Sequence, residues 1–401
     1  MTQPRAIRGY LLVTLCYWAF TLSDGALRML VLLHLHAQGQ TAWALALILL
    51  PYEAAGVATN LFGGFLGGRF GLRLPLVLGL ALQAAACWML ASDPDRLTLA
   101  FVAGAQCLSG VAKDLVKTSA KSYVKALAPT GGSAGLFRWV AWMTGSKNAM
   151  KGLGFFVGGA LLTWSGFSGT NIALASLLAL FAGFAAGTLP RIQGRPGVSI
   201  LSVARQDARI WWLSAARLLL FGSRDAWFAV ALPLFLVQAG WTHLAVGAAL
   251  ASWIIIYGAV QAAAPRLTQV QTPPSGARAT FAWTTLLLGP LLPAAFFIQR
   301  SAHPEVVAAA ALTGYGAVFA ITSSLHSWLV VAMHDDDRSA ERVGFYYSAN
   351  AVGRMAGTLA SGALFSAAAS ATQGLAWCMH AACCAILLSA ACTAALRRAL
   401  S

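Results

Sequence analysis

The chain has 401 residues, 59% of them apolar and only 10% charged, with a formal net charge of +15 and a mean hydropathy of +0.70. A soluble domain carries roughly a quarter charged residues, so this composition excludes ordinary soluble enzymes, disordered regulators and secreted disulfide scaffolds. At about 33 residues for each membrane-spanning helix and its loop, the length accommodates about twelve spans of some 20 apolar positions each.

Apolar runs of helix length fall near 9–36, 41–68, 73–91, 97–116, 137–163 and 170–189, then near 209–238, 241–264, 279–299, 306–334, 344–366 and 374–396. The first is no secretory leader. The run 10–35 is too long for an h-region and contains Asp24 and Arg28. The loops between the runs alternate in charge. Eighteen lysines and arginines, from Arg5 and Arg8 through Lys117, Lys121, Lys125, Arg191, Arg195 and Arg205 to Arg397 and Arg398, fall on one side, against only Arg96 and Arg300 on the other. The positive-inside rule then places both termini in the cytoplasm of a multi-pass inner-membrane protein. It also makes the bilayer, and not nucleic acid, the reason for most of the basic excess.

An even number of spans with a basic central loop predicts two pseudo-symmetric six-helix halves, 1–189 and 209–401, joined by a cytoplasmic linker at 190–208. A weak internal repeat supports this. Ser23-Asp24 answers Ser223-Arg224-Asp225, Leu108-Ser109-Gly110 answers Leu312-Thr313-Gly314, and Asn148 with Lys151 answers Asn350 with Arg354. All three matches have offsets near 200 residues, as duplicated transporter halves would.

The seven cysteines all lie in apolar runs without a CxxC pair, so they read as small apolar fillers and not as a zinc or disulfide framework. The run Gly152-Leu153-Gly154-Phe155-Phe156-Val157-Gly158-Gly159 follows no strand, which argues against a nucleotide loop and for close helix packing. No nucleophile–base pair or metal cluster stands out, so neither an enzyme nor a cofactor site is expected. The acidic run 335–337 reads as a solvated cluster, and His326 as a polar packing or substrate-contact residue.

The stretch after the second run reads Gly64-Phe65-Leu66-Gly67-Gly68-Arg69-Phe70-Gly71-Leu72-Arg73-Leu74-Pro75-Leu76. It resembles the cytoplasmic loop signature of the major facilitator superfamily, although Gly68 stands at the acidic position and Leu72 at a basic one. Glycines there allow a tight turn, and arginines anchor the loop to helix ends and lipid phosphates. The resemblance implies an all-α polytopic membrane protein of the major facilitator fold.

Charges left at membrane depth are the candidate functional residues, because each is costly unless paired or hydrated. Seven are basic (Arg28, Lys113, Lys147, Lys151, Arg217, Arg224 and Arg354) and four acidic (Asp24, Glu53, Asp114 and Asp225). Seven minus four leaves an excess of three positive charges, which predicts an anionic substrate, and a polyanionic one best. Arg28 and Arg224 occupy nearly equivalent places in the two halves, where a guanidinium pair across a pseudo-twofold cavity would grip an oxyanion bidentately. The bland alternative is that Arg28 only pairs with Asp24 one turn away. Lys113, Lys117, Lys121 and Lys125 recur every four residues, a stripe of about 18 Å at 1.5 Å per residue. Lys121 and Lys125 read as a snorkelling helix end, whereas Lys113, Lys147 and Lys151 read as cavity residues.

The blocks around these charges are more specific than the loop. Tyr17-Trp18-Ala19-Phe20-Thr21-Leu22-Ser23-Asp24-Gly25-Ala26-Leu27-Arg28, Tyr52-Glu53, Leu108-Ser109-Gly110-Val111-Ala112-Lys113-Asp114 and Thr144-Gly145-Ser146-Lys147-Asn148-Ala149-Met150-Lys151 resemble the ArsJ-type organoarsenical efflux permeases. The resemblance covers the first 160 residues or so, with Arg224-Asp225 and the eleventh run adding to it later. It implies export of 1-arseno-3-phosphoglycerate, made from arsenate by a partner glyceraldehyde-3-phosphate dehydrogenase, by alternating access. On this reading Arg28, Lys113, Lys147, Lys151, Arg224 and Arg354 contact substrate, while Asp24, Glu53, Asp114 and Asp225 couple protons or balance charge. An organophosphate or sugar-phosphate exchanger is the rival transporter, and a non-transporting sensor the rival of another class.

Overall fold

The protein is described by a computed structural model over residues 3–92, 97–127, 132–190, 192, 206–333 and 339–400, and among these all regular structure is helical. The helices run in order α1 Gln3–Ala37, α2 Ala42–Phe70, α3 Arg73–Leu90, α4 Leu99–Leu127, α5 Gly132–Thr188, α6 Ala208–Phe228, α7 Ala231–Gln238, α8 His243–Thr268, α9 Pro273–Leu286, α10 Leu288–Phe297, α11 Pro304–Ala332, α12 Ser339–Ala367 and α13 Ala371–Leu400. Arg96, Arg191, Arg195, Arg205, Arg338 and the acidic run 335–337 lie outside the described residues, as do the side chains of Arg5, Arg69, Lys121, Lys125 and Arg138.

Ten segments among the described residues are long and apolar enough to cross a membrane. One of them, the 43-residue Ser146–Thr188, is two helical lengths. Gly166 breaks it with φ 69° and ψ −176°, a conformation that costs a residue with a Cβ far more than glycine. Thr170 Oγ1 then donates to the Gly166 carbonyl at 2.7 Å, which restarts the ladder. Helix α12 is outside the ten, although its 29 residues suffice in length; Glu341, Arg342, Asn350 and Arg354 make it too polar. With the split at Gly166 and with α12, the twelve expected helical lengths are present. Trp88, Trp164, Leu180 and Phe297 stand exposed, as a lipid-facing surface requires and a water-facing one would not tolerate in such number.

Several boundaries differ from the sequence expectation, each for a local reason. Helix α4 continues to Leu127, because the lysines that mark the end of the apolar run are themselves good helix formers. The seventh length breaks between Phe228 and Ala231, since Pro233 lacks an N–H and its ring crowds the carbonyl four residues back. Ser361 Oγ accepts from the Ala231 N–H at 3.0 Å at the break. The ninth starts six residues early, at Pro273. Thr272 and Ser275 close a reciprocal cap there, with prolines in the first turn, where a missing N–H has no intrahelical partner to lose.

The chain forms two compact units. Unit 1 holds Met1–Val31, Ala58–Val198 and His243–Ile254; unit 2 holds Leu32–Val57, Ser199–Thr242 and Ile255–Ser401. Within unit 1 the start of α8 packs on α5, where a methyl added to Gly247 would sit 2.7 Å from the Phe155 carbonyl oxygen. Within unit 2 the start of α2 packs on α12, and the Trp43 N–H donates to Ser366 Oγ at 2.8 Å.

The turn between α2 and α3 belongs to unit 1. Gly71 takes φ 73° there, and the Leu72 N–H donates to the Ile192 carbonyl at 2.9 Å. Arg73 Nη1 reaches the Ala186 carbonyl at 3.1 Å, so this arginine of the loop signature does anchor the turn to a helix end. Tyr123 donates to the Pro190 carbonyl at 2.8 Å. Burial pushes its phenol up to about 12, so that clasp keeps its proton across the physiological range.

Candidate functional site

In unit 1 the charged side chains are set by a backbone-close crossing of α1 and α5. A methyl on Gly25 would lie 2.6 Å from the Lys151 carbonyl oxygen and one on Gly158 2.9 Å from Ala26, while one on Gly154 would overlap the Leu22 carbonyl. The glycine run therefore serves helix packing, as small residues do in membrane helices. The crossing brings Lys151 Nζ to 3.3 Å from Asp24 Oδ2, and Trp18 Nε1 donates to Ser146 Oγ at 2.9 Å. Asp24 thus faces Lys151 across the helix pair, besides having Arg28 one turn along its own helix.

On α4 the Asp114 carboxylate is buried. It accepts from Thr59 Oγ1 at 2.7 Å and from Lys117 Nζ at 3.0 Å. Lys117, which the sequence reading counts among the loop lysines, is therefore the partner of a buried acid. Arg28, Lys113 and Lys147 are half-buried, and each has interactions of its own.

In unit 2 the equivalent crossing is that of α6 and α12. Methyls on Gly353 and Gly357 would overlap the carbonyls of Leu218 and Gly222. Arg354, on the same face, bridges two acids. Its Nη2 donates to Glu53 Oε1 at 2.5 Å and its Nε to Asp225 Oδ2 at 3.1 Å. Arg224 Nε holds the other oxygen of Asp225 at 2.6 Å. Two arginines and two carboxylates sum to zero charge, and Glu53 and Asp225 are only 1% and 2% exposed, so each charge depends on the others for its solvation.

The internal repeat has physical content. Ser23 Oγ donates to the Phe20 carbonyl and Ser223 Oγ to the Leu220 carbonyl, each at 2.8 Å. The acid of that first match meets the cation of the Asn148/Asn350 match in each unit: Asp24 with Lys151 and Asp225 with Arg354. The serine register itself sets Arg224 against Asp24, with Asp225 one residue later. The match of Leu108-Ser109-Gly110 with Leu312-Thr313-Gly314 does not carry over, since Ser109 is buried whereas Thr313 is exposed.

One cluster escaped the sequence reading. Arg217 on α6, only 4% exposed, donates through Nε to Asn350 Oδ1 at 2.9 Å. Its Nη1 donates to the Ser323 carbonyl and hydroxyl oxygens, each at 3.1 Å. Phe221 lies under its guanidinium at 3.9 Å. The signals were in the sequence: a charge inside an apolar run, and polar residues on the tenth and eleventh runs. No periodicity shows that they meet.

No family model and no curated relative matches the sequence. Solved structures do share its fold. The nucleoside transporter NupG is 14% identical, with 97% of this chain and 98% of that chain covered at a TM-score of 0.71. A structure on substrate recognition in proton dependent oligopeptide transporters is 13% identical, with 98% of each chain covered and a TM-score of 0.73. A POT family transporter in complex with a thioalcohol conjugated peptide is 13% identical, covering 95% and 94%, at a TM-score of 0.72. The fold is therefore the all-α polytopic fold of major facilitator type. At these identities the likeness speaks for the fold alone.

Proposed function

We propose that the chain is a secondary transporter of a phosphorylated organic anion. The observation that carries this reading is the charge balance. Each of the four acids at membrane depth already faces a lysine or arginine: Asp24 with Lys151, Asp114 with Lys117, Glu53 with Arg354, and Asp225 with both Arg224 and Arg354. The cations outnumber them, and Arg217 has only neutral partners among the described residues. An excess of positive charge at membrane depth favours an anionic cargo that neutralises it during transit. The fold of nucleoside and peptide transporters supports alternating access as the way it moves.

The resemblance of the first 160 residues to ArsJ-type permeases favours 1-arseno-3-phosphoglycerate as the cargo. Its arsenate ester and phosphate suit a cationic lining. Export through the inner membrane, with both termini in the cytoplasm, would confer arsenate resistance together with a glyceraldehyde-3-phosphate dehydrogenase that makes the compound. Cells given both proteins should tolerate arsenate, and cells given either alone should gain little. Equal protection by the permease alone would sink the organoarsenical substrate.

Arg28, Lys113, Lys147, Lys151, Arg224 and Arg354 are proposed as substrate contacts, with Asp24, Glu53, Asp114 and Asp225 balancing the empty state or carrying coupled protons. Arg28→Lys and Arg224→Lys separate recognition from charge. Lysine keeps the charge and loses the planar fork. Each variant should raise the apparent substrate constant in everted vesicles at least tenfold, equivalent to about 1.4 kcal/mol. Near-wild-type constants in both would mean that charge alone matters at these positions.

A further inference from the structure

We infer that Arg217 and His326 form an anion-binding site within unit 2, one that takes a carboxylate or phosphate group of the cargo. The inference rests on the reading of the chain as an anion transporter and adds a site to it. Three observations meet here.

The first is the solvation of Arg217. A guanidinium taken out of water is stable only when charge and hydrogen bonds replace its hydration. The other two arginines of unit 2 at membrane depth, Arg224 and Arg354, both have carboxylates. Arg217 has an amide oxygen, a carbonyl, a hydroxyl and the faces of Phe221 and Tyr346, and no acid among the described residues. Asp225 lies eight positions further along α6, about 12 Å away at 1.5 Å per residue.

The second is His326, one turn beyond Ser323 on α11. It is fully buried, and neither of its ring nitrogens has a hydrogen-bond partner. Buried polar groups are nearly always satisfied, and an unsatisfied one calls for an explanation. Arg217 reaches the same turn of α11, through the carbonyl and hydroxyl of Ser323 three residues before it. A guanidinium without a carboxylate, one turn from an imidazole with no hydrogen-bond partner, suits an oxyanion: the guanidinium supplies charge and a fork of donors, and the imidazole one more N–H.

The third is the surroundings. Tyr257 Oη stands 3.5 Å from Ser323 Oγ, and Asn350 and Ser323 hold Arg217 through neutral acceptors. Neutral acceptors give way to an anion more readily than a carboxylate does, because no charge pair is broken. Both groups are nearly sealed from solvent, so the anion would sit occluded, as cargo does in mid-cycle.

The test is isothermal titration of the purified full-length protein in nanodiscs, with 3-phosphoglycerate and with inorganic phosphate as separate probes. The variants are Arg217→Gln and His326→Leu. The second gives up no hydrogen bond of the ligand-free protein and so should fold. Affinity for 3-phosphoglycerate should fall at least tenfold in Arg217→Gln and about threefold or more in His326→Leu. If phosphate affinity falls alongside, the site holds the phosphate group; if only 3-phosphoglycerate affinity falls, it holds the carboxylate. Both outcomes support the site. Wild-type affinity for both probes in His326→Leu overturns it, whether or not Arg217→Gln folds, and leaves the anion-transport reading standing. A wild-type protein that binds neither probe overturns both.

Discussion

Gly353→Ala should lower the melting temperature of the protein sharply. The added methyl would overlap the backbone carbonyl of Leu218, and a backbone atom cannot swing aside as a side chain can. Helices α6 and α12 would have to separate. That movement would pull on the bonds that join them, Arg217 to Asn350 and Arg354 to Asp225. Overpacking of this kind costs about 3 kcal/mol or more when the neighbour cannot yield. Gly183→Ala is the control, because a methyl there meets nothing within 4 Å. Melting of the two purified variants in detergent should show a large drop for Gly353→Ala and almost none for Gly183→Ala. Equal melting would mean that the two helices are not in backbone contact.

Arg354→Gln should be nearly as damaging, through charge instead of volume. It removes a cation that Glu53 and Asp225 both face, with both acids buried. Breaking a buried pair by removing one partner costs about 3–5 kcal/mol. Lysine is no remedy, because a single ammonium does not reproduce the fork that reaches both acids. Adding Glu53→Gln removes the stranded charge. The double variant should therefore recover most of the lost melting temperature while transport stays absent. Recovery of transport as well would reduce the cluster to a structural clasp.

Much of the architecture is legible in the chain because a bilayer imposes simple rules: length, apolarity and loop charge are local properties. Even Gly166 and Pro233 act locally, although tertiary packing decides which proline breaks a helix, since Pro51 sits inside α2 without ending it. The charges are half legible. That Glu53, Asp114, Asp225 and Arg354 would be buried follows from their places in apolar runs. That Arg354 faces Glu53, 301 positions away, does not, because helix pairing is set by tertiary packing. The same holds for Thr59 with Asp114 and for Arg217 with Ser323. The internal repeat came closest to reading the site, because it matched the two ends of an ion pair in each unit without showing that they touch. Arsenic is legible in no charge or distance and enters only through the resemblance of the first 160 residues.

The central claim, that the cargo is a phosphorylated organic anion, is tested most directly in proteoliposomes holding only the purified protein. Transport of labelled 3-phosphoglycerate, uridine and a dipeptide would be measured side by side, with and without an imposed proton gradient. Movement of 3-phosphoglycerate, abolished by Arg354→Gln, is the expected result, with none of uridine or dipeptide above empty vesicles. Transport of uridine or the dipeptide with no movement of 3-phosphoglycerate would contradict the claim.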